Sequence, residues 1–442
     1  MTTMMAKTKR AKKKTKGAGL TNAAKAAAPG ASLQRVRRAD DLHLELAGFF
    51  GQGRFTLCEE RDVGGAKMPV YVNEYWTARQ RGGHSLHEIS YRACFKPQLP
   101  EFFIRLLSDP GDLVYDPFMG RGTTVLEACL LGRRAGGNDA NPLSRELLAP
   151  RLDPPGLDEV ARRLESVQLD ERGAEDAQYE DQRVFFAERT LGEILGWRRY
   201  FREREAAGEL DTVDRWLRMV ACNRLTGHSG GFFSVYTLPP NQATSAKAQR
   251  RINEKRKQVP EYRDTRKLML KKSRSLMRDP LPPEFQRVAD GGGLCAGSAD
   301  SLHGVADGSV MLVVTSPPFL NVVDYRGDNW LRGWFCEVEA DESLIWQGSS
   351  LKQWKARMQD VFVELRRVLR EDGWIAFEVG EVLGGMLELE GTVAEVARAA
   401  GLHVECVLVH AQEFTKTANC WGVDNNSKGT NTQRVVLIRH GA

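Results

Sequence analysis

Two short stretches of this chain carry residue types suited to chemistry. Thr315-Ser316-Pro317-Pro318-Phe319 follows the apolar run VMLVV, and its prolines lack the N–H groups a strand needs, so the chain must leave a sheet here on a stiff backbone. A serine hydroxyl and a proline carbonyl held rigidly together are two hydrogen-bond acceptors. They can take both hydrogens of a weakly nucleophilic amine, draw its nitrogen toward tetrahedral geometry and aim its lone pair at an electrophile. The aromatic ring that follows offers a stacking face. Covalent catalysis through a Pro-Cys nucleophile is excluded, because none of the eight cysteines follows a proline.

The second stretch is Asp116-Pro117-Phe118-Met119-Gly120-Arg121-Gly122-Thr123-Thr124, which joins the apolar run LVYD (113–116) to the helical segment TTVLEACLLG (123–132). Ligands bind at such strand-to-helix turns on the carboxyl edge of α/β sheets, where glycine allows close backbone approach. A third glycine three residues on would suggest a dinucleotide, but Val125 stands there and weakens that reading. AGGNDAN (135–141) then places Asp139 at a strand end, where a carboxylate suits two donor hydroxyls.

The elements that must position these residues alternate in type. A helix is expected over PQLPEFFIRLLSD, where Phe102, Ile104, Leu106 and Leu107 recur at helical spacing, and Pro110-Gly111 stops it. Strand, glycine turn, helix and second strand over 113–141 form a βαβ unit. From 155 to 290 long charged helical stretches with scattered aromatics take over, with no strand run. The Gly291-Gly292-Gly293 triplet returns the chain to α/β pattern, with SVMLVVTSPPF, a helix near 352–370, the strand GWIAFEVGEV, a helix at GTVAEVARAAG and two closing strands, HVECVLVHAQEF and TQRVVLIRH. The expected organisation is a basic arm at 1–38 too poor in large apolar residues to fold, an α/β domain split into 39–154 and 291–442, and a helical insertion at 155–290.

DPFMGRGTT resembles the D-P-F-x-G-x-G-T-T motif of amino-directed DNA methyltransferases, and TSPPF resembles their T-S-P-P-[YF] tetrapeptide region in its cytosine-N4 form; adenine-N6 enzymes more often begin with Asp or Asn. The resemblance covers about 84–145 and 295–335. It implies a Rossmann-like α/β sheet, mostly parallel with an antiparallel last strand, and S-adenosylmethionine as cofactor. Asp116, Pro117, Phe118, Gly120, Gly122, Thr123 and Thr124 would then wrap the cofactor, and Asp139 would accept its ribose hydroxyls. By the same resemblance Phe95 and Lys96 in ISYRACFKPQL would pack over the methionine end, and Asp300 in GSADSL would sit near the adenine amino group; a turn-forming Asp before a helix is the alternative for Asp300. Thr315, Ser316, Pro317, Pro318 and Phe319 would act on the amino group of a base flipped from the duplex, a step that costs a few kcal/mol. In many enzymes that combine the two motifs the tetrapeptide comes first; here the glycine loop does.

The net charge of +5 conceals a segregation. Residues 1–39 carry +11 and residues 247–278 carry +10, which leaves −16 on the rest. Lysine- and arginine-rich segments on an acidic body suit a polyanion, because neutralising phosphates releases counterions. Lys247, Arg250, Arg251, Lys255, Arg256 and Lys257 are the expected nucleic-acid contacts, with a solvated helix face as the alternative. DNA is the expected partner, with RNA a second substrate class; a cognate restriction endonuclease would be a fitting companion. A non-catalytic nucleic-acid binder is a third reading, disfavoured by the intact Asp116, Gly120, Gly122 and Ser316. No apolar run approaches the ~18 residues a bilayer span needs, the cysteines lack metal spacing, and the expected location is a bacterial-type cytoplasm, beside the nucleoid.

Overall fold

In a computed structural model the protein is described over residues 35–51, 53–76, 83–92, 94–238, 243–289, 291–318, 325–339, 341, 344, 350–380, 389–411, 419–420, 423–424 and 432–441. Most of the expected basic arm lies outside these residues, as does Phe319.

The chain opens with helix α1 (Ala39–Gly48), a small hairpin of β1 (Phe50–Gly51) and β2 (Arg54–Phe55), and strands β3 (Leu57–Asp62) and β4 (Lys67–Asn73). The cofactor half follows as α2 (Gln98–Leu107), β5 (Leu113–Asp116), α3 (Thr123–Leu130), β6 (Arg134–Asp139) and α4 (Leu143–Leu152). Seven helices come next: α5 (Leu157–Ser166), α6 (Glu180–Arg183), α7 (Glu188–Ala206), α8 (Thr212–Arg224), α9 (Ala246–Arg256), α10 (Thr265–Leu276) and α11 (Phe285–Ala289). The chain then forms β7 (Leu294–Ala296), β8 (Val310–Thr315), α12 (Tyr325–Cys336), α13 (Leu351–Val368), β9 (Leu369–Gly380), α14 (Leu389–Ala399) and β10 (Leu402–Ala411). Two short strands, β11 (Asn419–Cys420) and β12 (Val423–Asp424), precede the closing β13 (Thr432–His440).

Nine strands make one sheet in the order β3-β4-β10-β13-β9-β8-β5-β6-β7. All run the same way except β3 and β13, and β13 inserts antiparallel between β10 and β9. This is the Rossmann-like sheet with an antiparallel last strand. From β5 the chain winds outward through β6 to β7, then returns to lay β8 on the other side of β5. The loops after β5 and β8 therefore diverge from neighbouring strands, the topological switch point where open α/β sheets bind ligands.

Central strands are apolar on both faces because both are covered. Along β8, Leu312 and Val314 join the core shared with α2, α3 and α4, while Val310 and Val313 join the core under α13 and α14. Each such side chain contributes ~1.5–3 kcal/mol on burial. The helices between 157 and 289 share the first of these cores: Trp197 and Trp216 are fully buried. Their indole N–H groups donate to Thr265 Oγ1 (3.1 Å) and Ser273 Oγ (2.9 Å), which locks α10 against α7 and α8.

The βαβ unit, the 352–370 helix and the later strands stand where the apolar pattern places them. The strands before Gln98 were not foreseen, for a physical reason. β3 is an edge strand whose residues Leu57–Asp62 are mostly exposed, and charged edges blur the alternation that marks a strand. Among the described residues no helix is long and apolar enough to cross a membrane, and no cluster could hold a metal ion.

Gly122 is the joint between the glycine loop and α3, with φ of +77° and Leu148 Cδ2 only 2.4 Å from where a Cβ would stand. Gly122→Ala should therefore destabilise the fold by ~1–3 kcal/mol through left-handed strain and overpacking, seen as a lower urea midpoint at unchanged m-value. An unshifted midpoint would mean that Leu148 yields freely.

Candidate functional site at the carboxyl edge of the sheet

Asp116 ends β5 with 1% of its surface exposed. A carboxylate so buried needs partners, and it has them from both sides of the switch point. Phe118 N–H donates to its Oδ1 at 3.1 Å, closing the turn, and the Thr315 hydroxyl at the end of β8 donates to the same atom at 2.6 Å. Thr124 at the start of α3 donates to the Val314 carbonyl at 3.0 Å. Two hydroxyls thus staple the glycine loop to the strand that carries the tetrapeptide. Burial still pushes the Asp116 carboxyl up to about 7.

Asp139, at the end of the adjacent β6, receives the Gly120 N–H on Oδ2 and the Asn141 N–H on Oδ1, each at 2.8 Å. Each oxygen retains lone-pair capacity for another donor. Burial raises its carboxyl above the usual range despite these bonds. Asn138 donates to the Gly297 carbonyl at 2.9 Å, tying β6 to the turn after β7 that contains Asp300. Asp116, Phe118, Gly120, Gly122 and Asp139 thus lie at the carboxyl ends of the adjacent β5 and β6, and Asp300 lies in the turn after the neighbouring β7. The wall above Gly120 is Tyr91 and Cys94, whose Cε1 and Sγ lie 3.7 and 3.8 Å from the position a Cβ would take. Phe95 and Lys96 follow directly, and burial lowers the Lys96 ammonium below its ordinary range.

The 84–96 strap is gripped from two sides. On the loop side Arg121 donates to the carbonyls of His87 (3.3 Å), Ile89 (2.9 Å) and Phe95 (3.5 Å), and buried Arg151 donates to that of Leu86 (3.2 Å). On the helical side Asn223 of α8 and Arg332 of α12 both donate to the Ser90 carbonyl, at 3.1 and 3.0 Å. Arg92 pairs with Asp328 of α12 at 2.6 Å, and Lys272 of α10 donates to the Glu88 carbonyl.

The tetrapeptide leaves β8 with Thr315 and Pro317 buried and Ser316 and Pro318 half-buried. Trp354 of α13 donates to the Pro318 carbonyl at 3.2 Å. The residue the motif reading missed is Glu378 on the neighbouring β9. It is buried, and the nearby Ser316 hydroxyl and Gln433 amide partly offset the rise that burial causes in its carboxyl. Gln433 Oε1 accepts the Trp76 indole N–H at 3.2 Å, and the Trp76 ring stacks on His410 at 4.2 Å. Burial pushes Glu378 up to about 7. The only signal in the sequence is an acid inside the otherwise apolar strand WIAFEVG.

The basic segment divides into two parts. On α9, Lys247, Arg251 and Lys255 are exposed, whereas Arg250 reaches Asp181 at 3.0 Å and Arg256 lies over the Tyr236 ring at 3.8 Å. Lys257 caps the helix in a left-handed conformation. On α10 two cations are used internally, Lys272, which burial lowers to about 8, and Arg266, which donates to the Val167 carbonyl at 2.8 Å, whereas Lys267, Lys271 and Arg274 are exposed. Ala243 N–H donates to the Asp328 carbonyl at 2.8 Å and Trp330 Nε1 to the Thr244 carbonyl at 3.0 Å, so the approach to α9 is fastened to α12.

The family model described as DNA methylase matches residues 20–147, which include the glycine loop and end before the tetrapeptide. The Type II methyltransferase M.MjaII of Methanocaldococcus jannaschii is 36% identical over 66 residues, or 15% of this chain and 12% of that protein, so the match spans about an eighth of that relative. The first match is to a DNA methylase family and the second to a Type II methyltransferase, and neither separates cytosine N4 from adenine N6. Similar solved structures include a TehB-like SAM-dependent methyltransferase from Corynebacterium glutamicum (10% identity, 77% of this chain, 86% of the other, TM-score 0.29). TrmN from Thermus thermophilus (12%, 80% and 51%, TM-score 0.31) and the rRNA methyltransferase aviRa from Streptomyces viridochromogenes (14%, 81% and 91%, TM-score 0.28) are others. Such low scores say nothing about individual residues, and the sheet order stands on this chain's own strand pairing.

Glu378 makes the site's pH response testable. Its folded pKa of about 7 lies above the ordinary 4.5, so between those values the folded state holds a proton that the unfolded chain has released. Stability contributed by this group is present at low pH and lost as pH rises through that window. Glu378→Gln removes the titration, so its stability relative to wild type should improve from pH 5 to pH 8 by ~1–3 kcal/mol in urea unfolding. An identical difference at both pH values would refute the assignment.

Proposed function

We propose that this protein is an S-adenosylmethionine-dependent DNA methyltransferase that methylates N4 of cytosine in a flipped base. The observation that carries the reading is the Thr315 to Asp116 hydrogen bond of 2.6 Å, which joins a glycine-loop ligand site to a rigid pair of acceptors across the switch point. The residues fit the cofactor: Asp139 has acceptor capacity for two hydroxyls, and the left-handed turn at Gly120 leaves room beneath Tyr91 and Cys94. When bound, S-adenosylmethionine supplies an electrophilic methyl group on a sulfonium.

The chain's own residues do the rest. Asp139 holds the ribose end, with Asp300 beside it, and Phe95, Lys96 and Phe118 close the pocket. Thr315 acts as a positioning residue, because its hydroxyl is already given to Asp116. Ser316 Oγ and the Pro317 carbonyl accept the amino hydrogens, and Glu378 keeps the serine proton turned away from the substrate. Phe319 stacks on the extruded base. Serine at the first reactive position favours cytosine N4 by the family resemblance, with adenine N6 or an RNA base as the outcomes that product analysis would reveal. The 155–290 helices serve target recognition in this reading, and Lys247, Arg251 and Lys255 meet phosphates.

Ser316→Ala should lower single-turnover methyl transfer on the order of 10²-fold, while calorimetric cofactor affinity stays near wild type, because the interaction matters most in the transition state. Asp116→Ala should instead abolish cofactor binding. Mass spectrometry of nucleosides from methylated DNA should give N4-methylcytosine. Full activity in Ser316→Ala, or 5-methylcytosine as product, would rule the mechanism out.

Replacing Lys247, Arg251 and Lys255 together with Gln should reduce the slope of log affinity against log salt by ~2–3, since each phosphate contact contributes ~0.9 for duplex DNA. An unchanged slope would assign α9 to a solvated face.

A further inference from the structure

The β1–β2 hairpin displays two phenylalanines to solvent, and nothing in the proposed chemistry uses them. Phe50 and Phe55 are cross-strand partners with ring centroids 4.9 Å apart at 62°, and they are 39% and 66% exposed. Leu57 beside them is exposed as well. The display is rigidly supported. Asn73, buried at the carboxyl end of β4, donates to the Thr56 hydroxyl at 3.1 Å and the Phe49 carbonyl at 3.4 Å, and Thr56 N–H also donates to Phe49 at 3.2 Å. Phe49 packs into the core against Tyr75 and Phe102. Gly51 lies so close to the Glu74 carbonyl that a Cβ would stand 2.6 Å from it. Arg54 donates to the Ala411 carbonyl at 3.1 Å, which fixes the hairpin to the end of β10.

Its place in the fold gives the patch a partner. β4 and β10 run parallel to β8, so the hairpin sits on the same carboxyl edge as Ser316, four strands away, or ~19 Å. That is about five or six nucleotide steps of ~3.4 Å. The same end of β4 also reaches across to β13, because Trp76 just beyond β4 donates to Gln433 Oε1 at 3.2 Å. Two rings and a leucine offer ~500 Å² of apolar surface at most, short of the ~800 Å² per partner that a stable dimer buries. Aromatic rings on a rigid support do suit base and sugar faces.

We propose that Phe50 and Phe55 form a second nucleic-acid contact that stacks on the strand flanking the reactive base, a surface that rests on the nucleic-acid reading above. The test is the Phe50→Ser/Phe55→Ser double variant, with fluorescence anisotropy on a labelled cytosine-containing duplex across a salt series, run beside cofactor calorimetry, thermal melting and sedimentation. The expected result is affinity weakened ~10-fold or more with the salt slope unchanged, because stacking is not ionic, and with cofactor affinity, melting temperature and monomer mass kept. Duplex affinity equal to wild type would overturn the contact, as would a wild-type dimer that the variant loses. A wild-type protein that binds no nucleic acid at all would instead overturn the function proposed above, and this surface with it.

Discussion

Asp116 stands at the topological switch point with almost no solvent contact, and its burial constrains everything around it. An isolated ionised carboxylate there would be too costly to keep. The fold meets the requirement by aiming donors at it from two chain segments almost 200 residues apart: Phe118 N–H from its own turn and the Thr315 hydroxyl from β8. Because a hydrogen bond to a buried charged acceptor is worth ~1.5–3 kcal/mol and more is lost when it is broken, the glycine loop and the tetrapeptide hold each other in register. In the proposed reading, a ligand at one is positioned for a reactive group at the other without a movable part between them.

The strap over the loop extends that register into the helical insertion. Arg121 belongs to the glycine loop itself, yet its guanidinium holds carbonyls of the strap, and the opposite side of the strap is held by Asn223, Lys272 and Arg332. Two cations of the basic segment, Arg266 and Lys272, are consequently structural. A cation whose donors are filled by buried carbonyls is not available to phosphate, which separates these two from the exposed Lys267, Lys271 and Arg274 of the same helix.

The glycine loop, the strand-end Asp139 and the tetrapeptide were legible because each depends on local backbone chemistry: glycine where φ is positive, proline where a strand must stop, an acid at a strand end. The long apolar strands were legible because both of their faces are buried. Glu378 was not, since its role comes from β9 lying beside β8, a pairing between residues 315 and 377 that no local pattern encodes. The β1–β3 stretch was hidden for the opposite reason: its strands are short or exposed, and periodicity fades where only one face is covered.

The pairing of Ser316 with Glu378 also explains why a serine can stand where a stronger acceptor would be expected. An aspartate at 316 would face a buried carboxyl already pushed up to about 7. Two carboxylates that close cannot both ionise, so one would hold a proton and turn a donor toward the substrate amine. With serine the charge is moved one bond back, onto β9. In the proposed mechanism the hydroxyl that would meet the substrate is neutral and cheap to bury, with the Glu378 carboxyl on the neighbouring strand. Gln433 in turn is oriented by the Trp76 indole, so its amide must present N–H groups to the carboxylate. The Gln433 amide is thus oriented before any substrate arrives, and in the proposed reaction acceptors preorganised in this way need no rearrangement.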